Sequence, residues 1–135
     1  MLARTERLTT EEYKQTFDKG TLSHTAKATL RLLFVSAETP IRGRKAKKPF
    51  IWAVNVPKKV AASAVVRNRI RRQSYEAIEA IIGENFPSIE QIPPHDGSKR
   101  VIIIWKPVIL NASFDEITQA LEEILLKAGV IGKRG

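Results

Sequence analysis

Residues 50–72 read FIWAVNVPKKVAASAVVRNRIRR, and two periodicities meet inside that stretch. The first seven positions alternate, with Ile51, Ala53 and Asn55 on one face and Phe50, Trp52, Val54 and Val56 on the other. That pattern is a β-strand. Pro57 interrupts it and Lys58-Lys59 lead away. From about Ser63 to Ile82 the apolar spacing widens to three or four, through Val66, Ile70, Ser74, Ala77, Ile78 and Ile81, which predicts a long helix with one buried stripe. At about 100° per residue, Asn68, Arg69, Arg71 and Arg72 fall on the sides and back of the stripe, and Arg67 borders it. Ile70 can then anchor the same turn from which the arginines point outward.

Outward from this unit, Ala28 to Ala37 (ATLRLLFVSA) predicts another strand, with a further short strand near residues 22–30. Glu38 to Pro49 is a loop punctuated by Pro40, Gly43 and Pro49, and the strands on either side of it are expected to pair as a long hairpin. Thr9-Thr10-Glu11-Glu12 opens an N-terminal helix with a capping-box pattern, and Gly20 stands where that helix should stop. Gly83 is expected to end the arginine-rich helix, with Glu84 to Ser98 as an irregular connection. Arg100 to Trp105 (RVIIIW) shows no alternation, as expected of a strand buried on both faces. Ser113-Phe114-Asp115-Glu116 is a second capping box, opening a helix with Phe114, Ile117, Leu121, Ile124 and Leu125 on one side and Gly129 at its end. The expected fold is a single α/β (α+β) domain over residues 1–135. It is a two-layer sandwich: a mixed sheet of about four strands, an N-terminal helix, a long arginine-rich helix and a C-terminal helix.

Charge is segregated along the chain. Between Arg42 and Arg72 there are eleven Lys or Arg and no acid, although the chain has fourteen Asp and Glu in all. The net charge is +9 and the sequence pI about 10.1, while 43% hydrophobic residues argue for a folded core. A cationic stretch of this kind repels itself unless a polyanion is bound against it, and nucleic acid is the commonest such polyanion. With no cysteine, disulfides and thiolate metal sites are excluded. No run approaches the roughly 18–20 apolar residues needed to cross a bilayer, so a soluble, intracellular, cytoplasmic protein with no membrane partner is expected.

Each candidate site also has a plainer reading. Arg67, Arg69, Arg71 and Arg72 are either a solvated helix face or an RNA- or DNA-binding surface. Solvated faces ordinarily mix signs at i,i+4, as Glu76 and Glu79 begin to do a turn later, so binding is the better account. Arg42, Arg44, Lys45, Lys47 and Lys48 are either a solubilising loop or an auxiliary phosphate-steering loop. Tyr13 and Phe17, four apart on one helix face, are either core residues or stacking platforms for unpaired bases. His24 and His95 have no ligand-spaced partner, so no metal site is expected. No catalytic triad or paired-carboxylate arrangement stands out, so no catalytic residue is assigned. A ribosomal or ribosome-assembly RNA-binding protein without nuclease role fits these features too.

Lys58-Lys59-Val60, followed by Ala64-Val65-Val66-Arg67-Asn68-Arg69-Ile70-Arg71-Arg72, resembles the signature of the bacterial ribonuclease P protein family: a strand ending in Lys-Lys-[Val/Ile], a short turn, then a helix carrying Ala-Val-x-Arg-Asn-Arg-x-[Lys/Arg]-Arg. Arg7-Leu8, Tyr13, Phe17 and Gly20 resemble that family's opening helix, and Lys106-Pro107 before an amphipathic C-terminal helix fits as well. There are departures. The turn Ala61-Ala62-Ser63 is one residue longer than usual and lacks its glycine. Tyr13 stands where Phe is usual, and Arg31 falls near the place of an aromatic.

The resemblance implies a left-handed βαβ crossover into the Arg-Asn-Arg helix, against the usual right-handed rule. It implies a protein subunit, monomeric in a 1:1 ribonucleoprotein, that binds the catalytic RNA of ribonuclease P and the 5′ leader of precursor tRNA. The leader would be removed endonucleolytically by the RNA with Mg²⁺. Arg67, Asn68, Arg69, Arg71 and Arg72 would contact the catalytic RNA. Tyr13 and Phe17, with the central sheet face and the RNA-binding Lys58 and Lys59, would hold the leader.

Overall fold

The computed structural model describes residues 8–35, 50–90 and 98–131. In chain order its elements are α1 (Thr10–Lys19), β1 (Thr21–His24), β2 (Ala28–Val35), β3 (Phe50–Asn55), α2 (Ala64–Glu90), β4 (Ser98–Trp105), a 3-10 turn (Pro107–Ile109) and α3 (Phe114–Lys127). The four strands form one mixed sheet in the order β1-β2-β4-β3. β1 and β2 are antiparallel, as are β2 and β4, while β3 runs parallel to β4. This is the α+β architecture expected from the sequence.

The expected hairpin is not formed. β4 lies between β2 and β3, so the strands flanking the 38–49 loop never pair. The reason is burial: Val101, Ile102 and Ile103 are fully enclosed, and a strand apolar on both faces gains most at the centre of a covered sheet. β3 takes an edge instead, where its outward groups are still occupied. The Val54 amide donates to Tyr75 Oη at 3.2 Å, and the Trp52 carbonyl accepts from the Leu8 amide at 2.8 Å.

The second correction concerns α2, which runs through Gly83 and Pro87 to Glu90. A glycine costs a helix interior about 1 kcal/mol, which weakens the helix without ending it. Pro87 removes one backbone donor, again a local loss. The irregular connection expected over 84–98 therefore begins as helix, and Ser98 already belongs to β4.

α2 and α3 cover one face of the sheet. Trp52, Val54, Val101, Ile103 and Trp105 meet Ile70, Ala77, Ile78, Ile81, Ile117, Leu121, Ile124 and Leu125 there. Ser74, the polar member of the α2 stripe, is fully buried because its hydroxyl accepts from Trp105 Nε1 at 2.9 Å and donates to the Ile70 carbonyl at 2.7 Å. Both predicted capping boxes are present, Thr9 with Glu12 and Ser113 with Glu116. Phe114 is 39% exposed, so α3 buries its stripe only from Ile117 onward.

The other face carries α1. Gly20 ends it in extended backbone, because a Cβ there would sit 2.5 Å from the Thr16 carbonyl oxygen and 3.0 Å from that of Leu32. The severe clash is with the Thr16 carbonyl of α1 itself, and the Leu32 carbonyl of β2 crowds the same position.

Candidate nucleic-acid interface

The first half of α2 presents the arginines as its periodicity dictates. Ile70 is 1% exposed, while Asn68, Arg69 and Arg72 stand in solvent and Arg67 and Arg71 are half-buried. Among the described residues none of the four guanidinium groups pairs with a carboxylate. The first turn of α2 also has no acid to oppose the positive end of the helix dipole. Bare charges about 6 Å apart repel by about 0.7 kcal/mol per pair in water, and a bound anion removes that cost.

The four arginines are not equivalent. Arg67 Nη1 donates to the carbonyls of Ala61 (3.0 Å) and Ala62 (2.9 Å), clasping the turn that enters the helix. Ser63 begins that helix, its carbonyl accepting from the Arg67 amide at 3.0 Å. Arg71 Nη1 donates to Asn68 Oδ1 at 2.9 Å, so those two side chains form one unit. Arg69 and Arg72 are the exposed pair. Lys58 and Lys59 are exposed just before the turn. Arg42, Arg44, Lys45, Lys47 and Lys48 lie outside the described residues.

A second surface lies on the α1 face of the sheet. Strand register places Leu22, His24, Thr29, Arg31, Leu33, Arg100, Ile102, Ile104, Ile51, Ala53 and Asn55 on that face. α1 covers only part of it. Ile51, Arg100 and Ile102 are buried, whereas Thr29, Ala53, Asn55 and Ile104 are half-buried and Leu22 is 54% exposed. The uncovered part is a shallow cleft floored by those half-buried residues and walled by α1.

Tyr13 and Phe17 form that wall. Their rings are near-parallel at 15°, with centroids 6.3 Å apart, and Phe17 is 40% exposed. Neither ring belongs to the main core under α2 and α3. Asn55 Nδ2 donates to Tyr13 Oη at 3.2 Å, fixing that ring over β3. Arg31 lies over the Phe17 ring, 4.2 Å from its centroid, and donates through Nη1 to the Phe17 carbonyl at 2.8 Å. Below α1, Arg100 is 3% exposed; Nη1 donates to Gln15 Oε1 at 2.8 Å, and Nη2 stands 3.8 Å from Glu12 Oε2. Glu12 thus serves both its own helix cap and the enclosed arginine.

Arg31, Arg100 and Asn55 carry no motif and were missed as site residues. A signal existed for Arg31: a charged residue inside ATLRLLFV, alternating with Leu30 and Leu32, must face away from the main core. The two surfaces are contiguous in the chain. Asn55 on the cleft floor and Lys58 are three residues apart, a span of at most about 11 Å.

Among the described residues no three His, Asp or Glu side chains converge to hold a metal ion, and no helix is long and apolar enough to cross a membrane.

The model of the ribonuclease P family matches residues 2–129. A ribonuclease P protein component from Microcystis aeruginosa is 34% identical over 83 residues, which are 62% of this chain and 61% of that relative. The chain thus spans about three-fifths of the length of the curated relative it matches. Among solved structures, an RNase P protein from Staphylococcus aureus superposes with a TM-score of 0.66 at 20% identity, covering 94% of this chain and 98% of that one. An RNase P protein from Thermotoga maritima gives 0.60 at 16% identity, with coverages of 90% and 96%. At these identities the structural likeness speaks for the fold.

Proposed function

The chain belongs to the ribonuclease P protein family, and on that premise we propose that it is the protein subunit of ribonuclease P. It binds the catalytic RNA and the single-stranded 5′ leader of precursor tRNA and assists endonucleolytic removal of the leader. One observation carries this reading: an exposed arginine surface, with no carboxylate paired to it among the described residues, is joined in the chain through Lys58 and Lys59 to a cleft walled by near-parallel aromatic rings.

The division of tasks follows from the chemistry. Asn68 with Arg71, Arg69 and Arg72 face the phosphates of the catalytic RNA, where contacts position without reading sequence. Arg67 contributes from the base of the same surface while holding the turn. Tyr13 and Phe17 take unpaired leader bases, and a stacking ring accepts any base. Lys58 and Lys59 lie between, within reach of both. Such tolerance suits a protein that must serve every precursor tRNA. In this reading Mg²⁺ held by the RNA would supply the hydrolytic chemistry, and the protein's own side chains bind and orient the substrate. A 1:1 ribonucleoprotein in the cytoplasm, with no membrane partner, completes the proposal.

Reconstitution tests it. Added to its cognate ribonuclease P RNA, the protein is expected to let that RNA cleave precursor tRNA at a Mg²⁺ concentration too low for the RNA alone. No gain, together with tight binding to ribosomal RNA, would instead support a ribosome-assembly role.

A further inference from the structure

Arg31 differs from the other arginines described. On β2 it lies in register between Leu22 of β1 and Ile102 of β4, at the corner of the cleft. Its Cζ stands 4.2 Å from the Phe17 ring centroid and its Nη1 donates to the Phe17 carbonyl at 2.8 Å, so two contacts hold the guanidinium in place. Much of the entropy of ordering this long side chain is therefore already lost before any ligand arrives.

What these contacts do not supply is a full counter-charge. The Phe17 carbonyl belongs to the C-terminal part of α1, whose dipole offers about half a negative charge. Among the described residues no carboxylate pairs with Arg31, and its Nε is enclosed without a hydrogen-bond partner. Arg100, on the same face, has Glu12 and Gln15. A helix clamp alone would not call for a charge left in this state, since a neutral amide could bond the same carbonyl.

The neighbours narrow the choice of anion. Two near-parallel rings beside a fixed cation match unpaired nucleic acid, with bases on the rings and a phosphate on the guanidinium. An acidic peptide or a free phosphate would leave the rings unused. We infer that Arg31 contacts one backbone phosphate of the unpaired RNA segment that lies on Tyr13 and Phe17, and thereby sets the register of that segment along the cleft. The inference rests on the leader-binding reading above.

The test uses the holoenzyme reconstituted with its cognate RNA. Precursor tRNAs carry a single methylphosphonate, which is uncharged, at each leader linkage in turn. Binding is measured with wild type, Arg31→Gln and Arg31→Lys, alongside mature tRNA and the thermal midpoint of each protein. In wild type, one linkage is expected to weaken binding by roughly threefold to tenfold, the range for one screened charge-assisted contact. In Arg31→Gln that linkage becomes silent while the others keep their effects, and Arg31→Lys recovers part of the sensitivity. Should Arg31→Gln fail to fold, Arg31→Met, which keeps an aliphatic stem over the ring, carries the same expectation. Wild-type sensitivity at every linkage in the neutral variant overturns the inference. Equal wild-type affinity for precursor and mature tRNA overturns the leader-binding reading itself, and Arg31's role with it.

Discussion

Arginine is held in opposite ways on the two faces of this molecule. On α2, Arg69 and Arg72 stand exposed, with no carboxylate paired to them among the described residues. On the α1 face, Arg100 is enclosed with Glu12 and Gln15, and the Arg31 guanidinium sits over the Phe17 ring. Exposed charge acts over a Debye length of roughly 8–10 Å and attracts any polyanion. Enclosed charge acts by contact, with its geometry set beforehand. One face supplies attraction without selectivity, and the other supplies shape.

The largest expected effect tests the enclosed side. Arg100→Met leaves the Glu12 carboxylate buried without the guanidinium charge, at a cost of about 3 kcal/mol by urea unfolding. The salt dependence of RNA binding should not change, because Arg100 meets no solvent. A loss below about 0.5 kcal/mol would erase the contrast between the two kinds of arginine.

Next comes the stacking wall. Tyr13→Ala and Phe17→Ala are each expected to reduce the preference for precursor over mature tRNA by on the order of 1–3 kcal/mol, nearly independent of salt. Competition binding with the two RNAs reads this directly. If both variants unfold, the rings are structural and the cleft is no platform.

A smaller effect separates the arginines of α2 from one another. Arg67→Ala removes the clasp on the Ala61 and Ala62 carbonyls and should cost about 1 kcal/mol of stability. Arg69→Ala and Arg72→Ala should stay within about 0.5 kcal/mol of wild type. Equal stability for all three would mean that the clasp contributes nothing.

What was legible in the sequence was mostly local. Thr9–Glu12 and Ser113–Glu116 announce helix starts because a capping box closes within four residues. The Ile70 stripe foretold which arginines leave the core, since helical period depends on the helix alone. Strand order was a different matter. Whether β2 pairs with β3 or with β4 depends on a competition among distant segments, and the decisive clue, the unalternating RVIIIW, favoured the central place without naming its neighbours. Gly83 misled because glycine weakens a helix without obliging it to stop. Arg31 and Arg100 stayed hidden for a related reason: their partners sit on α1, 14 residues from Arg31 in the case of Phe17 and 85 from Arg100 in the case of Gln15, outside any local pattern. The arginine-bearing face of α2 was therefore readable from one segment, whereas the cleft exists only once α1 crosses the sheet.

The central claim is that the exposed face of α2 meets nucleic-acid phosphates. Its most direct test is the slope of log binding constant against log salt for the cognate ribonuclease P RNA, measured for wild type, Arg69→Ala and Arg72→Ala. Each substitution is expected to lower the slope by roughly 0.7–0.9, the release of one counterion set by one phosphate contact. Slopes that match wild type in both variants, with affinity unchanged, would contradict the account.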